Sequence, residues 1–147
     1  MRLDESNANA YLNRGWFFTL KRSPDRALEN LDLAERYCKS PRTSAFIKSN
    51  RARAQTLLGD LQSALNLANE AIELLPLAEF FCTRAVCYFL MGDHEKALTD
   101  LKKSITLDPH ELEAYWYKAK ILRLRGDESH AMELEQKVVG FEHRFLF

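Results

Sequence analysis

Residues 91–98 read MGDHEKAL and set Gly92 and Asp93 between two stretches of helical character. Glycine ends a helix in the left-handed conformation without steric cost, and aspartate starts one because its carboxylate accepts from the unpaired amides of the next first turn. A stop followed at once by a start is the bend of a tight helical hairpin. The pair recurs in LGDLQSAL at 58–65 and in RGDESHAM at 125–132, so the chain is predicted to bend in this way three times.

The bends are regular. Gly59, Gly92 and Gly126 lie 33 and 34 residues apart, the period of helical-hairpin repeats. Alanine stands after each bend (Ala64, Ala97, Ala131) and before it (Ala52, Ala85, Ala119), and Pro76 and Pro109 close the two inner units. Small residues let two helices approach closely, and a proline marks where a helix ends or where the next begins at its first position. The punctuation predicts helices of about 14 residues, a length that is marginal alone and is stabilised by stacking on neighbours.

Composition agrees. The chain has 147 residues, 46% hydrophobic and 29% charged, ordinary for one soluble globular domain. Leu and Ala supply 39 residues while Val and Ile supply 7, which favours helix over strand because branched Cβ atoms lose rotamer freedom in a helix. The formal net charge is zero, which argues against nucleic acid or an anionic membrane as the partner. There is no run of roughly 20 apolar residues and no charged-then-apolar leader, so a cytoplasmic chain without membrane insertion is expected. Cys38, Cys82 and Cys87 are an odd number without close spacing, which indicates neither a disulfide framework nor a zinc site.

Residues 78–111, AEFFCTRAVCYFLMGDHEKALTDLKKSITLDPHE, resemble a tetratricopeptide repeat. Phe81, Ala85, Tyr88, Gly92, Ala97, Leu101, Ser104 and Pro109 fall at that family's signature positions. The register extends to 45–77 (Ala52, Gly59, Ala64, Ala68, Ala71, Pro76) and to 112–140 (Tyr115, Ala119, Leu122, Gly126, Ala131). A weaker copy spans 8–44, with Tyr11, Gly15, Phe18, Ala27, Leu31 and Ala34. There the turn is rewritten as KRSPDRAL, in which Ser23 can cap a helix with Pro24 at its first position. Three extra residues precede the second copy near Ser40 and Pro41. The resemblance implies an all-α fold, a right-handed α-α superhelix of about four hairpins, as one domain over 1–147.

The last copy departs from the pattern at Glu135, where a bulky apolar residue is usual, and at Val138, where a small one is usual. Terminal repeats are commonly atypical because their outer face meets water. The apolar tail 141–147 follows, and its Phe141, Phe145, Leu146 and Phe147 leave three readings open: a segment folded back on the last hairpin, a self-association surface, or a partner-binding end.

Catalytic chemistry is not indicated. His94, His110, His130 and His143 are scattered, with no second ligand at the i, i+4 spacing that holds a metal and no paired base. No phosphate loop occurs and no nucleophile stands beside a base in sequence. The expectation is a chain that is not an enzyme and has no cofactor and no metal.

Binding remains. The resemblance implies that the first helix of each hairpin lines a concave groove. The positions left after the packing residues are removed include Asn13 and Trp16, Asn50 and Arg53, Phe89, and Trp116, Tyr117, Lys120 and Arg123. Both tryptophans fall in this set. Aromatic and basic residues carry interface hot spots because they bury much area for little lost rotamer entropy. They suit a peptide with apolar anchors and some acidic character, met by Arg53, Lys120 and Arg123. A subset of the family grips the C-terminal carboxylate of chaperones. Of the corresponding positions here (Ser49, Arg53, Thr83, Glu113, Tyr117, or Leu12, Trp16, Asn50, Glu79, Thr83) only Asn50 matches, so that clamp is not expected.

A second ladder, Arg14, Arg51, Arg84 and Lys118, is basic in all four copies. It reads either as an anion track or as stems lying on the core, their heads reaching acids such as Asp100. The function expected is a non-enzymatic adaptor that binds a peptide segment of a partner protein. The alternatives are an assembly module that forms a homodimer through its apolar C-terminal end, and an accessory domain of a larger complex or enzyme.

Overall fold

The computed structural model describes residues 5–141 and 145. Among them every regular element is an α-helix. The order is α1 (Glu5–Leu20), α2 (Pro24–Tyr37), α3 (Pro41–Leu58), α4 (Leu61–Leu74), α5 (Ala78–Leu90), α6 (His94–Leu107), α7 (Leu112–Leu124) and α8 (Glu128–Gln136). These helices fall into two compact units, Met1–Pro76 and Leu77–Phe147. In the first, α1 pairs with α2 and α3 with α4, and α3 packs on both α1 and α2. In the second, α5 pairs with α6 and α7 with α8, and α7 packs on α5 and α6.

Each Gly-Asp pair makes the predicted bend, ending one helix and starting the next. Gly92 has φ +83°. Its amide donates to the Phe89 carbonyl at 3.1 Å and the Asp93 amide to Tyr88 at 2.9 Å, the two bonds of a Schellman ending. The Asp93 carboxylate then accepts from the Lys96 amide at 3.2 Å and caps α6. Asp60 and Asp127 cap α4 and α8 in the same manner, through the amides of Ser63 and His130. Asp93 and Asp127 are both held below the usual carboxylate range. The amide of Lys96 and then its ammonium do this at Asp93; the ring and then the amide of His130 do it at Asp127.

The first hairpin makes the same turn from different residues. The amides of Arg22 and Ser23 donate to Thr19 and Phe18, each at 2.9 Å, but the left-handed position holds Arg22 at φ +54°. Pro24 opens α2 as predicted, whereas Ser23 does not cap it. The Ser23 hydroxyl instead lies 3.4 Å from the Lys21 carbonyl. The extra residues before the second copy belong to a helix. Ser40 accepts from the Thr43 amide at 3.1 Å and Pro41 takes the first position, so they form an added first turn that brings α3 to 18 residues. Pro76 and Pro109, in contrast, stand in the connections ahead of α5 and α7 and do not open them.

The core is built from small residues at the helix crossings and a few large ones between them. In the first unit Leu12, Leu31, Ala34 and Ile47 form one buried cluster. A Cβ at Gly15 would stand 2.9 Å from Leu31 Cγ and Cδ2, so the close approach of α1 and α2 requires glycine there. In the second unit Ala85, Ala97, Ala114, Leu98, Leu101, Tyr117 and Ile121 pack together with Cys82 and Val86. The buried Ser104 hydroxyl donates to the Ala78 carbonyl at 2.8 Å, tying α6 to the start of α5 and satisfying a polar group that burial would otherwise penalise.

Candidate functional site

The basic ladder resolves as packing and ion pairing at its two central rungs. Arg51 reaches Asp32 at 2.8 Å and Glu35 at 3.0 Å on α2. Arg84 forms a two-bond fork with Asp100 on α6, Nε to Oδ2 at 2.7 Å and Nη2 to Oδ1 at 2.8 Å. That hydrogen bonding holds the Arg84 guanidinium above its ordinary value although burial opposes it.

The predicted binding positions are distributed over the first helix of each hairpin. In the first unit Asn13 is exposed on α1, and Trp16 and Asn50 are half-buried. The Arg53 guanidinium carbon of α3 lies 5.3 Å from the centre of the Trp16 ring, and Arg53 is only 8% exposed. In the second unit the Lys120 ammonium lies 5.1 Å from the Trp116 ring centre and 5.8 Å from that of Tyr117. Burial alone pushes the Lys120 pKa down. Both arrangements are within the range of cation–π attraction.

Two of the predicted positions have other roles. Tyr117 is 0% exposed and its ring meets Phe89 edge-on at 5.5 Å. It is a core residue that offers no face to a ligand, because its side of α7 is the one turned onto α5 and α6. Arg123 is committed to its own hairpin. It binds Glu128 and, at 2.7 Å, Glu135 of α8, and the Glu135 hydrogen bond raises its pKa. This accounts for the charged residue at 135, which pairs with a basic residue on the facing helix. Val138, the other departure, is fully buried.

Sequence reasoning leaves one contact unspecified. The Phe145 ring lies 5.6 Å from that of Trp116, their planes inclined by 32°, so the tail folds back on the last hairpin at this residue. Phe141 is exposed, and Leu146 and Phe147 lie outside the described residues. The Lys120–Trp116 pairing was readable from their i, i+4 spacing; the Phe145 contact has no such signal. Cys82 on α5 also comes within 4.8 Å of the carboxylates of Glu111 and Glu113 at the start of α7, a position where the helix dipole favours acids. Among the described residues no helix is long and apolar enough to cross a membrane.

The paired helices, with glycine at each of the later bends and alanine at the crossings, define a helical-hairpin repeat protein. The sequence model of the tetratricopeptide repeat family matches residues 78–111. The solved structure of MamA superimposes on 94% of this chain and 80% of its own with a TM-score of 0.67 at 23% identity. YrrB, described as a tetratricopeptide repeat protein with an unusual peptide-binding site, superimposes on 96% of this chain and 74% of its own with a TM-score of 0.63 at 18% identity. Over 91 residues the chain is 34% identical to the BBSome complex member BBS4 of Bos taurus, covering 61% of this chain and 17% of that protein. The chain spans between 6% and 27% of the length of the curated relatives it matches. Residues 78–111 thus match the tetratricopeptide repeat family, and the chain shares its all-helical hairpin fold with a solved tetratricopeptide repeat protein.

Proposed function

We propose that each unit of this chain offers, on the faces of its first helices, a surface for a peptide segment of a partner protein, without catalysing a reaction. The observation that carries this reading is the pairing of a basic side chain with a half-buried tryptophan in both units: Arg53 with Trp16 and Lys120 with Trp116. A flat aromatic surface beside a cation accepts an apolar anchor and an acidic neighbour together. Asn13 and Asn50 add hydrogen-bonding groups within the same helices, and Phe89 adds a ring beside Tyr117. The peptide-binding description of YrrB supports this reading by analogy of fold.

The test is a peptide-display selection against the purified chain. The expected product is a set of peptides that combine an aromatic residue with Asp or Glu, whose affinity falls about tenfold or more on Lys120→Ala or Arg53→Ala. Peptides that keep full affinity for both variants would place the working surface elsewhere.

An assembly role is the second reading, and it has its own observation. Val139 is 66% exposed and Phe141 41% exposed at the end of the last hairpin, an apolar surface that a second copy can cover. Light scattering on the parent and on Phe141→Ser separates the two. A dimer that dissociates in the variant supports assembly, and a monomer in both supports the adaptor. The modest share of its relatives that the chain spans also accommodates a place within a larger complex.

A further inference from the structure

The α7 face assigned to peptide binding already holds one aromatic ring. The C-cap of α8 is Lys137, and Phe145 lies beyond it, outside any helix, yet half-buried and in contact with Trp116. Phe141, nearer to α8 in sequence, stays exposed. The tail's aromatic residues are therefore not drawn equally to the surface, and Trp116 takes one of them. Ring pairs attract at centroid separations of about 4.5–7 Å, a range that includes the 5.6 Å between Phe145 and Trp116. Beside them the Lys120 ammonium, 5.1 Å from the Trp116 ring centre, is partly desolvated, which favours an anionic neighbour.

We propose that the Trp116–Lys120 surface is a receptor for an aromatic side chain carried on an extended segment next to a carboxylate, and that Phe145 is its resident occupant in cis. A partner segment of that chemistry has to displace the tail before it binds. The proposal rests on the reading of α7 as a binding face. A tethered occupant competes at a high effective concentration, and the apparent affinity for an incoming segment falls by the fraction of chains whose surface is free. The tail thus sets a threshold: weak aromatic segments are refused, and only those with the added carboxylate contact to Lys120 displace it.

The experiment uses the full chain and a fluorescein-labelled peptide of sequence GFEHRFLF, copied from residues 140–147, its binding followed by anisotropy; Trp16→Phe is added only for the emission measurement, so that Trp116 is then the sole tryptophan. Removing the occupant with Phe145→Ala is expected to shift Trp116 emission to the red and to raise the affinity for the peptide about tenfold or more. Trp116→Leu, which keeps an apolar side chain against the core, is expected to abolish binding while circular dichroism shows unchanged helicity. Equal affinity for the parent and Phe145→Ala, with binding still lost in Trp116→Leu, overturns the self-occupancy and leaves the α7 reading standing. Binding that persists in Trp116→Leu overturns both, and a Phe145→Ala chain that does not take the peptide overturns the receptor. A parent dimer that dissociates in Phe145→Ala makes the occupant a second copy's tail and overturns the arrangement in cis.

Discussion

Arg84 holds Asp100 through two parallel hydrogen bonds, at 2.7 and 2.8 Å, and so joins α5 to α6 at a carboxylate that is 4% exposed. A buried charge is costly chiefly when its partner is removed. Arg84→Met is expected to destabilise the chain by about 2 kcal/mol, less than the roughly 3–5 kcal/mol of a fully buried pair because the arginine is partly reached by water. Replacing both, Arg84→Met with Asp100→Leu, should recover at least half of that loss. Urea unfolding of the two single variants and the double variant measures the coupling, and additive losses would show that the fork contributes nothing beyond its parts.

The first hairpin turns through Arg22 in the left-handed region, where the other three use glycine, and Ser23 leaves α2 without a side-chain cap. Converting the pair to the Gly-Asp of its siblings, Arg22→Gly with Ser23→Asp, should relieve backbone strain and supply the missing cap. The expected gain is about 1–2 kcal/mol. It would appear as a higher midpoint in thermal unfolding followed by circular dichroism, and an unchanged or lower midpoint would count against the shared turn geometry.

Gly15 lies within a helix, where alanine is ordinarily the better residue by about 1 kcal/mol. Here the added methyl would meet the buried Leu31 side chain at 2.9 Å. Overpacking of a closed core costs about 1–3 kcal/mol, so Gly15→Ala is expected to destabilise on balance. Leu31→Val, added to Gly15→Ala, should recover part of the loss by making room, and chemical denaturation of the series tests the sign.

The start of α8 carries a titrating pair. The His130 ring nitrogen Nδ1 lies 2.8 and 2.9 Å from the two Asp127 carboxylate oxygens. The Asp127 hydrogen bond raises the His130 pKa, and the same contact lowers that of Asp127. The histidine contribution to stability is therefore full below its unfolded pKa and lost as pH rises through the raised folded value. The aspartate contribution is full above its unfolded pKa and lost as pH falls through the lowered one. Both are present together between about pH 4 and pH 6.5. Proton NMR titration should place His130 above the ordinary imidazole value in the parent, and Asp127→Asn should bring it down.

The bends were legible in the sequence because their chemistry is local: a positive φ selects glycine, and an open first turn selects aspartate. The extra turn of α3 was equally local, since Ser40 and Pro41 are the cap and first-position residues of a helix start, although the repeat register by itself shows them only as extra residues. The proposed binding face was less legible. Trp116 and Tyr117 are neighbours of the same chemical type, and only the packing of α7 on α5 and α6 decides that one is half-exposed and the other buried. Glu135 looked like a defect in an apolar pattern until the facing Arg123 supplied its counter-charge. The tail has no periodicity at all, so nothing in its sequence singled out Phe145 as the residue that meets Trp116.

The adjacency of Trp116 and Tyr117 separates two kinds of change along a single helix. Substitutions at 116 change the exposed part of a ring whose other part rests on the core, and substitutions at 117 remove a wholly buried ring and loosen the scaffold. A polar residue is therefore tolerated far better at 116 than at 117, where it would be buried without a partner.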